Sequence, residues 1–128
     1  MVLVFKKGDD FLEELKKRLA AQKANSGFFY GLGGFVNPEL AYYDLANKKF
    51  INKQYRGFFE VTNLTGNLAQ LDGKPYLHCH VTLGDKKFAA IGGHLVSAKV
   101  GGLMEIVVTP TELLKRKYDK ETGLNLMQ

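Results

Sequence analysis

The spacing of apolar residues changes once along the chain, dividing it into a helical opening and an extended remainder. Between Phe11 and Ala24, Phe11, Leu12, Leu15 and Leu19 recur close to the helical period, so one face of this stretch is apolar. Asp9 or Asp10 is free to cap its first amides, and acidic Glu13 and Glu14 precede basic Lys16, Lys17 and Arg18, the order the helix dipole favours. The pattern predicts one long N-terminal helix over Phe11–Ala24, preceded by a short strand over Val2–Lys6.

From Asn25 onward the residues read as sheet. Extended runs are expected at Gly27–Val36, Leu40–Leu45, Phe50–Arg56, Gly57–Leu68, Tyr76–Leu83, Phe88–Ser97 and Leu103–Thr109. Turn residues separate them at Asn37-Pro38, Ala46–Lys49, Asp72–Pro75 and Gly84–Lys87. Glu112–Tyr118 suits either a short helix or a last strand, with a turn at Asp119–Gly123. One helix followed by many strands predicts an α+β fold on a mainly antiparallel sheet, formed as one domain over residues 1–128.

Composition narrows this picture. The single cysteine, Cys79, excludes an intrachain disulfide and a bridge-stapled secreted scaffold. No run approaches the ~18 apolar residues of a membrane span. The opening Met1–Lys7 is too short in its apolar part for a signal peptide. A cytoplasmic protein with no membrane partner is therefore expected. The net charge of +5 admits polyanions, yet the basic residues come in twos and threes, as in Lys6-Lys7 and Lys115-Arg116-Lys117. Such scatter suits a solvated surface and at most weak nucleic-acid binding. Aromatic and apolar residues stand in both alternation phases, as in Phe28 beside Phe29, Phe58 beside Phe59 and Ile106 beside Val107. One helix covers only one side of such a sheet, which leaves the other for further subunits.

The chemistry concentrates in the histidines. All three of the chain, His78, His80 and His94, fall close together. In a strand, Leu77, Cys79, Val81 and Leu83 line one face while Tyr76, His78, His80 and Thr82 line the other. A hairpin that sets Thr82 opposite Ala90 and His78 opposite His94 brings the three imidazoles to one side of the ladder, with Gly92 leaving space opposite His80. Three neutral imidazoles make a zinc-type ligand set with an open fourth position. The same residues also suit a polar sheet face bonded to backbone or water. Cys79 points away, as a core residue would, which disfavours a Cys-His nucleophile pair. Glu60 and Asp85 are the nearest acidic residues, and neither is placed as a catalytic base. Gly31-Leu32-Gly33-Gly34 fits no phosphate-loop pattern and reads as a bent strand. Phe28-Phe29-Tyr30 and Phe58-Phe59 suit core and interface positions better than base-stacking platforms.

Longer segments carry a family resemblance. Gly57-Phe58-Phe59-Glu60-Val61-Thr62-Asn63-Leu64-Thr65-Gly66 resembles the Gly-Arg-Phe-Glu-Ile-Leu-x-Leu-x-Gly segment of the plants-and-prokaryotes-conserved (PPC) domain family. Leu77-His78-Cys79-His80-Val81-Thr82-Leu83 and Ile91-Gly92-Gly93-His94-Leu95 resemble its prokaryotic branch, and the Tyr118–Leu124 tail also fits. The resemblance implies a seven-stranded antiparallel sheet assembled as a homotrimer. It also implies a divalent, zinc-like metal on His78, His80 and His94, and a regulatory or ligand-binding role. Prokaryotic members are often described as DNA-binding, so a nucleoid-associated or transcriptional regulatory protein is the alternative. A metal-dependent hydrolytic or lyase-type enzyme ranks last, and no catalytic residue is assigned. Plant members contact DNA through Arg-Gly-Arg-Pro motifs outside this domain. This chain has no such motif, and Phe58 stands where the plant segment has arginine.

Overall fold

A computed structural model describes residues 1–128. Strand β1 (Val2–Lys6) leads into helix α1 (Phe11–Ala21), and the rest is sheet: β2 (Gly27–Asp44), β3 (Lys49–Gln54), β4 (Phe58–Leu71), β5 (Lys74–Gly84), β6 (Ala90–Pro110), β7 (Lys115–Asp119) and β8 (Leu124–Met127). The eight strands form one sheet in the order β3-β2-β6-β5-β4-β7-β8, with β1 beside β6. Because β2 also pairs with β4, the pairings β2–β6–β5–β4–β2 run in a closed circuit. Inside it lie Phe29, Phe35, Leu64, Leu83, Met104 and Ile106, all fully buried. Helix α1 adds Phe11, Leu15 and Leu19 to the same core, with the Phe11 ring 5.2 Å from Phe5 and 5.1 Å from Phe35.

The expected α+β fold with a long helix and a seven-stranded antiparallel sheet is corrected on each count. Strands occupy 66% of the chain, the single helix is short, and the sheet has eight strands and is mixed. The parallel element is the β4–β7 ladder, where Gln70 lies beside Lys115 and Leu71 beside Arg116. The helix stops at Ala21 rather than Ala24 because Lys23 turns left-handed at φ 56°. The Lys23 amide then donates to the Ala20 carbonyl and the Ala24 amide to the Leu19 carbonyl, closing a Schellman-type end without glycine. Asp10 occupies the N-cap position but its side chain caps nothing, while the Asp9 carboxylate accepts from the Lys6 amide.

Two predicted breaks are bulges inside long strands. At Asn37 the backbone turns to φ 51°, and the Asn37 side-chain oxygen accepts the Gly57 amide at 2.8 Å, so β2 continues past Pro38. Gly102, at φ 92°, likewise lets β6 run unbroken through Gly101-Gly102. The Gly31–Gly34 stretch is the bent strand expected, with a register shift against β4 between Gly31 and Gly33. The tail forms the strand alternative, as β7, and turns back as β8. No helix is long and apolar enough to cross a membrane.

Gly31 lies between two partner strands, opposite Leu64 and Ile106, and a Cβ there would overlap the Glu105 carbonyl oxygen. Gly31→Ala should therefore cost about 3 kcal/mol, the upper range for overpacking a core. Gly8→Ala, where nothing lies within 4 Å, should cost only about 1 kcal/mol for its left-handed backbone. Urea unfolding of both variants checks this, and equal losses would contradict the close packing around Gly31.

Candidate metal centre

The alternation read from the sequence holds on β5. Cys79, Val81 and Leu83 are buried in the core, and His78 and His80 emerge on the opposite face. Burial also pushes the Cys79 thiol up to about 12, so it stays a neutral core group. The register with β6 differs from the expected one by two residues: His80 lies opposite His94, and Thr82 opposite Gly92. The cause is the connecting loop. The Asp85 carboxylate accepts the Lys87 and Ala89 amides, at 2.8 and 3.0 Å, and the Asp85 amide donates to the Ala89 carbonyl. That closure first pairs Gly84 with Ala90, not Thr82 with Ala90. A slip of two preserves the face, so all three imidazoles still converge.

Their nitrogens lie within 4.8 Å of one another. The His78 and His80 Nε2 atoms are 3.1 Å apart, and the ring centroids are 4.7 to 5.7 Å apart. Ligand nitrogens on a tetrahedral zinc are roughly 3.3 Å apart, as zinc–nitrogen bonds of about 2.0–2.1 Å require. The donor set therefore fits a divalent ion with small side-chain adjustments. Burial, helped by the charges of His80, Arg116 and His94, lowers the His78 pKa to about 4. Burial and then His80 lower that of His94. Both rings are therefore held in the neutral form that a metal ligand needs.

Residues far apart in sequence complete the surroundings. Arg116, brought in by the parallel β4–β7 ladder, contacts the His78 Nδ1 at 3.3 Å and the Asn67 side-chain oxygen at 2.8 Å. A guanidinium only donates, so Nδ1 accepts and the His78 ring proton sits on Nε2, toward His80. Phe50 of β3 packs 5.2 Å from His94, and Tyr43 of β2 packs 4.8 Å from Phe50. Sequence reading placed Tyr76 on this face but missed Arg116, Asn67, Tyr43 and Phe50. Only the tail's basic cluster hinted at Arg116, and nothing local hinted at its partner strand. Asp85 is engaged in its turn, and neither it nor Glu60 lines the cavity over the histidines.

A β-dominated circuit of long strands carrying an outward-facing histidine triad defines the class of protein. The chain belongs to the Plants and Prokaryotes Conserved (PCC) domain family, whose model matches residues 1–112. Solved structures agree over nearly the whole chain. A candidate DNA-binding protein from Ralstonia eutropha JMP134 is 35% identical, with TM-score 0.89, covering 99% of this chain and 89% of that one. A plant- and prokaryote-conserved protein from Pyrococcus horikoshii is 28% identical, with TM-score 0.93 and coverages of 100% and 90%. A metal-containing protein from Archaeoglobus fulgidus is 29% identical, with TM-score 0.92 and coverages of 100% and 91%. No curated protein matches the chain.

The low His78 pKa makes metal-free stability depend on pH. Between pH 6.5 and about 4 the unfolded ring takes a proton that the folded ring refuses, so stability falls as pH drops through this window and levels off below it. Thermal melts of metal-free protein should show that fall, with a shallower slope in His78→Gln. Identical slopes would contradict the buried neutral imidazole.

Proposed function

We propose that this chain is a trimeric PCC-domain protein, a single domain over residues 1–128, with a divalent, zinc-like ion on His78, His80 and His94. Its role is regulatory or ligand-binding. The observation that carries the reading is the convergence of three imidazoles within 4.8 Å on one sheet face. The similarity to the metal-containing protein of Archaeoglobus fulgidus supports it. When bound, the ion supplies an electrophilic position that draws anionic or lone-pair donors. The chain's own residues do the rest: β5 and β6 orient the rings, and burial keeps His78 and His94 unprotonated.

Assembly is supported by the surface. Val2 (68% exposed) of β1 and Tyr30 (57%) of β2 flank Val107 of β6, and Val4 (57%) and Leu32 (54%) flank Glu105, the one acidic residue among them. A largely apolar face of this kind is seldom left open in a monomer, and rotational symmetry brings identical patches together. The number three comes from the family resemblance.

Metal analysis of protein purified without nickel affinity, with the mass measured in solution, tests this reading. The expected result is up to one zinc-like ion per chain and a mass near three times 14.3 kDa that persists at low micromolar concentration. His78→Ala and His94→Ala should each lose the ion. Full occupancy in either variant, or a persistent monomer, would contradict the reading.

The second reading is DNA binding, favoured by the similarity to the candidate DNA-binding protein of Ralstonia eutropha and by the net charge of +5. We expect weak, sequence-indifferent binding that collapses between low and physiological salt, because it draws only on counterion release. A tight, sequence-selective complex at physiological salt in a DNA titration would promote this reading over the first.

A further inference from the structure

The cavity above the histidine triad has a volume of about 380 Å3, within the range of small-molecule sites. Its walls are aromatic and aliphatic: Tyr43, Phe50 and Tyr76, closed by Leu124 and Leu126 of β8. Tyr43, Phe50 and His94 form a run of packed rings, and the Arg116 guanidinium carbon lies 5.3 Å from the centre of the Tyr76 ring. Arg116 is the one lysine or arginine on the wall, and no aspartate or glutamate faces it.

Arg116 is also incompletely satisfied. One terminal nitrogen donates to the Asn125 carbonyl at 2.8 Å and the other to Asn67, with His78 beside it. Its Nε–H is buried with no partner, the one buried side-chain nitrogen or oxygen in the chain left so. That Nε is enclosed by protein, but every partner of the guanidinium is neutral, so the cationic side that lines the cavity is left for an anionic acceptor.

We propose that this cavity binds a small planar monocarboxylate, its carboxylate held by Arg116 and its flat body by the Tyr43, Phe50 and Tyr76 rings. This deepens the ligand-binding role given above and rests on it for the function of the site, but the Arg116 contact does not require the metal. A single guanidinium among apolar walls matches one negative charge. A phosphate would bring more charge and more acceptors than these walls supply. Charge from a bound divalent ion acts in the same direction, because no acidic side chain offsets it.

Calorimetric titration of the full chain with benzoate tests the proposal, with benzamide as the neutral counterpart. Both are run on chelator-treated and zinc-loaded protein, with zinc content measured in parallel. The expected result is benzoate at least about tenfold tighter than benzamide in both forms, a difference of about 1.4 kcal/mol. Arg116→Met should erase that preference, leaving benzoate and benzamide with equal affinity. Arg116→Lys, which keeps the charge but removes the planar guanidinium, should keep part of it, and carries the test if the Met variant fails to fold. Equal binding of benzoate and benzamide, or a preference surviving in Arg116→Met, would overturn the proposal. Benzoate binding to protein that takes up no zinc would overturn the metal reading alone. Zinc loading without benzoate preference would overturn this one alone.

Discussion

Burial of Cys79, Val81 and Leu83 against the core governs what happens on the other side of β5. Those side chains enter an interior already filled by Phe29, Leu64, Met104 and Ile106. Apolar burial of this kind is worth roughly 1.5–3 kcal/mol for each large side chain, far more than a histidine gains by turning inward. The inward set therefore pins the phase of the strand, and period-two geometry forces His78 and His80 outward together. The same logic on β6 buries Leu95 and turns His94 to meet them. The triad follows from a packing constraint on residues that carry none of its chemistry.

This is why the triad was legible in the sequence although its register was not. Alternation of Leu77, Cys79, Val81 and Leu83 with His78, His80 and Thr82 is a local signal, and a register error of two residues leaves the face unchanged. The register itself depends on Asp85 holding two loop amides, a closure that the Gly84–Lys87 turn residues do not specify on their own. The long strands were read as pairs of short ones for a related reason. Asn37 and Gly102 carry turn-like backbone angles, but tertiary pairing with Gly57 and with β2 absorbs them as bulges. The helix was read too long because Lys23 gives no sign, by type, of adopting a left-handed backbone. Arg116 was out of reach because it arrives through a parallel ladder between β4 and β7, a contact with no local pattern.

The polar side of the sheet is built from parts with opposed effects. His78 and His94 are kept neutral by burial, which suits a ligand, while Arg116 fixes the His78 ring proton on the nitrogen that faces His80. A metal at that nitrogen would move the ring proton to Nδ1, which then could no longer accept from Arg116, so the tail strand β7 is coupled to the triad through one side chain. Membership of the PCC domain family accounts for the framework over residues 1–112, whereas Arg116 and the β8 wall lie beyond that span. The pocket thus joins histidines and aromatic rings from within that span to Arg116, Leu124 and Leu126 from the last two strands.

The central claim is that strand alternation and the β5–β6 pairing put three imidazoles, and not the thiol between two of them, into one coordination sphere. X-ray absorption at the zinc edge of the metal-loaded protein tests it most directly. The account predicts about three imidazole nitrogens at about 2.0–2.1 Å, with the remaining position filled by a light atom. A sulfur shell at about 2.3 Å would mean that Cys79 has left the core to bind the ion, and would contradict the account.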